Sequence, residues 1–201
     1  LHSTILTRVL HVSGIGEANL DNLVANYEKL SNPTVGLLAK NGIVDIRIGA
    51  KAASQIEAEQ MIENVTSELV TILGNHYYGM DETTLPDAIA SLASQYQQTC
   101  TITTSGYGSE LVQVLQPILP GWTIQEDDDL SCIGNNTHTL AFMGIFDQYP
   151  ARMTVRITTV NKNDTFERKF AGPPENSLIW GINATLDIIR RFLIDQININ
   201  G

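Results

Sequence analysis

The chain has 201 residues and a mass of 22.1 kDa, with 43% hydrophobic and 17% charged residues. That is enough for one large or two small domains with packed cores, and it excludes a disordered chain. Twelve Lys+Arg against 22 Asp+Glu leave a formal charge of −10, which argues against a phosphate-backbone binder because such proteins present a basic face.

No apolar run approaches the roughly 20 residues needed to cross a bilayer, and Leu1-His2-Ser3 opens no basic-then-apolar targeting pattern. A soluble, cytoplasmic protein without nucleic-acid or membrane partners is expected. In chain order, Thr7 to Val12 is β-rich, and Gly14-Ile15-Gly16-Glu17 opens a helix whose Leu20, Leu23, Val24, Tyr27 and Leu30 recur at helical spacing. Asn32-Pro33 ends it. Val35 to Ala39 and Ile43 to Ala50 read as strands around Lys40-Asn41-Gly42, where Asn-Gly suits the positive φ angles of a tight hairpin. A second helix starts from a Ser54 cap, carries Ile56, Met61, Ile62, Val65, Leu69 and Ile72 on one side, and stops at Gly74. These elements predict a small α+β domain, β-α-β-β-α, over residues 1–82.

Asp81-Glu82-Thr83-Thr84 reads as the crossing to a second domain, residues 83–201, because the run is polar and Pro86 can begin a helix but not continue one. There follow a helix (Asp87 to Tyr96), a strand (Cys100 to Thr104), a Gly-rich turn (Ser105 to Gly108) and a helix (Ser109 to Leu115) broken by Pro117 and Pro120. This strand-turn-helix predicts an α/β layer. Strands Thr139 to Ile145 and Met153 to Val160 lead through the turn Asn161-Lys162-Asn163-Asp164 to a third, Thr165 to Phe170. The closing helix runs from Ser177 to about Leu193, with Ile182, Leu186, Ile189, Phe192 and Leu193 inward and Arg190-Arg191 near its end, where cations suit the dipole.

Basic residues are confined to Arg8–Lys51 and Arg152–Arg191, so residues 52–151 contain none. Cys100 and Cys132 are far apart and read as buried thiols, with neither a disulfide framework nor a zinc site. Glu126-Asp127-Asp128-Asp129 could hold Mg²⁺, but consecutive acids do not converge on one point, so a solvated loop is expected and no metal or cofactor is assigned. His11 and His76 read as structural, and Trp122 and Trp180 as core or interface residues. The acceptor triplets at Asn64, Asn135, Asn163 and Asn183 matter only in a secreted chain.

Arg8-Val9-Leu10, Gly14-Ile15-Gly16-Glu17, Asn32-Pro33-Thr34, Ala39-Lys40, Arg47-Ile48, Ala50-Lys51-Ala52, and Gly74 with Tyr77-Tyr78-Gly79 together resemble, in order and spacing, the middle domain of the CinA family of competence- or damage-inducible proteins. The resemblance implies a missing N-terminal domain similar to the molybdopterin-binding fold, a chain that is a piece of a longer protein or a natural short homologue, and a homo-oligomer. It also implies that the second domain is similar to nicotinamide-nucleotide amidohydrolases, with a shortened three-layer α/β fold. That family's Ala-Glu-Ser-Cys-Thr-Gly-Gly signature corresponds here to Thr103-Thr104-Ser105-Gly106-Tyr107-Gly108-Ser109. Ser105 is therefore the vestigial nucleophile candidate, with Gly106, Gly108 and Ser109 as substrate-binding candidates.

A serine hydroxyl needs a base to accept its proton. The family's Tyr-Ser-Asn-x-x-Lys segment supplies a lysine, whereas Gly121 to Asp129 here contains none. His138 is the alternative base, and Arg152, Arg156 and Lys162 are the cations that could serve a substrate phosphate. A degenerate, idle amidase-like domain serving as a structural or dimerisation module is expected. An active nicotinamide mononucleotide amidase using Ser105 is the alternative.

Overall fold

The structure, a computed structural model, describes residues 3–127, 138–160, 162–172 and 174–200. Its contacts divide the chain between Leu85 and Pro86 into two compact units.

The first unit runs β1 (Thr4–Ser13), α1 (Glu17–Glu28), β2 (Thr34–Lys40), β3 (Ile43–Ala52), α2 (Gln55–Leu73) and β4 (Tyr77–Met80). The antiparallel sheet has the order β2-β3-β1-β4. Asn41 and Gly42 both take positive φ, at 54° and 81°, closing the β2–β3 hairpin as their residue types require. Ser54 Oγ accepts from the Glu57 amide at 3.2 Å and caps α2, while the Glu57 carboxylate accepts from the Ala53 amide. One sheet face, with Leu10, Val12, Ile46 and Ile48, packs on Leu20 and Val24 of α1 and on Ile62 and Leu69 of α2.

Alternation along the strands turns Ile5, Thr7, Gly36, Leu38, Arg47, Gly49 and Lys51 to the other face, where they border a shallow depression of about 760 Å³. His11 lies on that face, its Nδ1 2.7 Å from Asp45 Oδ1 and its Nε2 2.8 Å from the Asp81 carbonyl, with its ring stacked on Tyr78. The helical pattern over-read two positions of α2: Ile56 is 80% exposed and Ile72 40%. The predicted β-α-β-β-α core is present and is extended by β4, which pairs with β1 across a register shift at His11/Val12.

The second unit runs α3 (Leu85–Gln95), β5 (Cys100–Ser105), α4 (Ser109–Ile118), β6 (Thr123–Glu126), β7 (His138–Ile145), β8 (Ala151–Thr159), β9 (Lys162–Phe170) and α5 (Ser177–Asn200). Its sheet has the order β6-β5-β7-β8-β9. β5 is parallel to both β6 and β7, and β7-β8-β9 form an antiparallel meander. Paired residues share a face, so Ile102, Leu140, Phe142, Met153, Val155 and Ile157 lie on one side. α5 packs there, its Thr185 hydroxyl 3.3 Å from the Met153 sulfur.

Several boundaries differ from expectation: β1 begins at Thr4 rather than Thr7, β5 takes in Ser105, β8 spans Ala151–Thr159 rather than Met153 to Val160, and α4, α5 and β9 depart from it as well. α4 continues through Pro117 to Ile118, because a proline so near the C-terminal end forfeits only one helical bond. α5 extends to Asn200. β9 begins at Lys162, paired with Thr159, so the connection is two residues rather than the four-residue turn expected at 161–164. Asn161 itself, with Leu1, His2 and Asn135, lies outside the described residues. Among the described residues no helix is long and apolar enough to cross a membrane.

Candidate functional site

The chain leaves β5 through α4 to β6 on one side, while β7, on the other side of β5, runs parallel to it. That reversal makes the carboxyl ends of β5 and β7 the topological switch point, where open α/β sheets bind ligands. Ser105 is the last residue of β5 and is 8% exposed.

The turn that follows is tightly specified. Gly106 and Gly108 hold φ of 77° and 58°, in the left-handed region that glycine tolerates. The Gly106 Cα abuts the Gly144 carbonyl so closely that no Cβ would fit. Tyr107 is buried, its hydroxyl 3.0 Å from Thr185 Oγ1 and its ring edge-on to Phe146. Burial pushes its phenol well above the usual range, so it stays protonated. Ser109 opens α4, and its Oγ accepts from Gln113 Nε2 at 3.0 Å.

Register decides which side chains can help Ser105. It pairs with Met143, which pairs with Thr154, and its face carries Arg152 and Arg156, one on each side of Thr154 along β8. Strand geometry puts these arginines two strands away and about 12 Å from Ser105, Cα to Cα. On β6, Asp127 follows Glu126, and its amide donates to the Thr104 carbonyl at 3.0 Å, which sets Asp127 one strand from Ser105. Glu110 folds back over the start of α4, an oxygen 2.6 Å from where a Gly108 side chain would begin. A carboxylate thus stands at the helix end where a substrate phosphate would be sought.

The expected alternative base is elsewhere. His138 pairs with Cys100 at the amino end of β5, about 16 Å along the strand from Ser105. Its Nδ1 lies 2.5 Å from Tyr96 Oη, and its ring packs against Phe192. Burial lowers its pKa and favours the neutral ring. Lys162 is at that same far end, on β9, 2.6 Å from Asp164. Lys169 is also on β9, three strands from Ser105.

Cys100 is buried, and desolvation pushes its thiol up to about 12, so it is an inert core residue. Cys132, Asp128 and Asp129 lie outside the described residues. Among those that are described, no three His, Cys, Asp or Glu side chains converge as a metal set would. Trp122 packs edge-on to Tyr96, and Trp180 stands against Gly172 with its Nε1 buried. His76 Nδ1 lies 3.2 Å from the Ser13 carbonyl.

The fold and this site describe a two-unit protein: an antiparallel sheet with helices on one face, then a mixed α/β unit with a serine turn at its switch point. Residues 7–79 match the family model described as the KH domain of the damage-inducible protein CinA. These residues carry the domain of the CinA family.

It is 41% identical over 107 residues to a CinA-like protein of Crocosphaera subtropica, covering 53% of this chain and 26% of that one. It is 39% identical over 117 residues to one of Gloeothece citriformis, covering 58% and 28%. A third, of Dictyoglomus thermophilum, is 39% identical over 105 residues, covering 52% and 26%. The matched part thus spans about a quarter of the length of these relatives. Solved formyltetrahydrofolate deformylases of Burkholderia mallei and Pseudomonas putida align at 8% identity, over 97% and 96% of this chain and 95% and 96% of theirs, with TM-scores of 0.24 and 0.27, too weak a likeness to bear on the fold.

Proposed function

We propose that the second unit is a relative of nicotinamide mononucleotide amidohydrolases that keeps the serine turn but has lost turnover, and that it serves as a structural or dimerisation module. The observation carrying this reading is the set of groups around Ser105: Asp127 one strand away, Glu110 over the α4 terminus, and the unit's histidine and both lysines on other strands or at the far end. A carboxylate is a far weaker proton acceptor than an amine or imidazole. Arginine is permanently protonated and cannot serve as the base. Two acidic groups near the turn also oppose a phosphate-bearing substrate.

The nearness of Asp127 to Ser105 favours the active amidase as a second reading. Incubation with nicotinamide mononucleotide is expected to release no ammonia above a Ser105→Ala control. Release that both Ser105→Ala and Asp127→Asn abolish would establish the amidase instead. Light scattering is expected to show a homo-oligomer, and a strict monomer would sink the dimerisation role. The full-length protein would carry a preceding domain similar to the molybdopterin-binding fold.

We also infer that the first unit is not a nucleic-acid clamp despite its KH description. Such domains grip the backbone with a Gly-x-x-Gly loop, and no two glycines between residues 7 and 79 stand three apart. A fluorescein-labelled single-stranded RNA is expected to show no saturable anisotropy change at physiological salt. Saturable binding that weakens as salt rises would overturn this.

A further inference from the structure

β9 is the edge strand of the second sheet, and α5 crosses only part of the face it shares with β8. Alternation turns Lys162, Phe166 and Arg168 of β9 toward the α5 side, together with Ile157 and Thr159 of β8. α5 answers with one stripe at helical spacing: Ile188, Phe192, Asp195 and Ile199, with Arg191 beside it. Between them lies a cavity of about 470 Å³, within the range of small-molecule sites.

Its wall is mostly apolar, from Ile157, Phe166, Ile188 and Phe192. Phe166 is 38% exposed, a large ring on an edge strand with an uncovered side. Three cations border the same space. Lys162 is committed to Asp164 at 2.6 Å, and Arg191 Nε to Asp187 at 2.8 Å. Arg168, half-buried, has no ion pair or hydrogen bond among the described residues. A guanidinium presents up to five donors in a planar fork that fits a carboxylate, and its attraction grows where apolar walls displace water. Asp195 is the one carboxylate in the lining among the described residues, and it is solvent-exposed.

We propose that this cavity binds a small organic anion with a flat apolar body, its carboxylate paired with Arg168 and its ring laid against Phe166 and Phe192. The cavity is on the opposite face of the sheet from Ser105, so the site is independent of the amidase question.

The test titrates the whole chain with 2-naphthoate as probe and 2-naphthalenemethanol as its neutral counterpart, by calorimetry. One saturable naphthoate site per chain is expected. It should weaken tenfold or more in Arg168→Met and in Arg168→Gln, each shown folded by circular dichroism, and remain unchanged in Ser105→Ala. The alcohol should bind more weakly and equally to wild type and both variants. Absence of saturable naphthoate binding would overturn the proposal, as would affinity indifferent to Arg168 or dependent on Ser105.

Discussion

Gly106→Ala is expected to unfold the second unit at markedly lower temperature. Two costs coincide at this position. The left-handed φ of 77° penalises any side chain by roughly 1–2 kcal/mol. The added methyl would also fall inside the van der Waals envelope of the Gly144 carbonyl, which is backbone and cannot rotate away. Overpacking of this kind typically costs a further 1–3 kcal/mol or so. A sum of about 3 kcal/mol implies a drop on the order of 10 °C in a unit this size.

Gly121→Ala is the control. Its φ is 86°, yet nothing stands within 4 Å of the new methyl, so it should show the conformational cost alone, roughly 1–2 kcal/mol. Thermal melts of the two variants separate strain from collision. Equal losses would mean that the Gly106–Gly144 approach is not a constraint.

Asp187→Ala should be comparably damaging for an electrostatic reason. Asp187 is 1% exposed and accepts from Arg190 Nη2 and Arg191 Nε, both at 2.8 Å, and the Arg190 side chain is itself 2% exposed. Removing one member of a buried pair strands the other charge in a poor solvent, at a cost of about 3–5 kcal/mol. Replacing both members, as Asp187→Leu with Arg190→Met, should recover most of that loss, because the remaining charge that loses Asp187 is Arg191, which is 31% exposed and can be hydrated. Chemical denaturation of the single and double variants measures it. A double variant no better than the single would show that the pair is not the source of the loss.

Local signals were legible where one or two residues decide the backbone. Asn41-Gly42 declared its hairpin, Ser54 its cap, and Gly106 to Gly108 the turn after β5, although Ser105, expected in that turn, belongs to the strand. The four-residue strands β4 and β6 were not, since Tyr77–Met80 and Thr123–Glu126 are too short to establish an alternation and owe their conformation to the strands they pair with. The site suffered from the same limit. Asp127 looked like one of four solvated acids, and only the pairing of β6 with β5 sets it beside Ser105. His138 was a reasonable base until register placed it at the opposite end of the strand. Arg152 and Arg156 share the face of Ser105 through two successive strand pairings, which no spacing in the chain encodes.

The division of charge in the first unit gives it a direction in space. Glu17, Asp21 and Glu28 ride on α1, and Glu57, Glu59, Glu63 and Glu68 on α2, while Lys40, Arg47 and Lys51 stand on the uncovered side of the sheet without ion pairs among the described residues. These cations outnumber Asp45, the acid on that face, which is held by His11. Such an arrangement is an electric dipole perpendicular to the strands. Near an extended anionic surface the unit would rotate to present its strands, although its net charge is repelled. On an anion-exchange resin it would attach by its helices, so the matrix chosen for purification or immobilisation also chooses which side stays free.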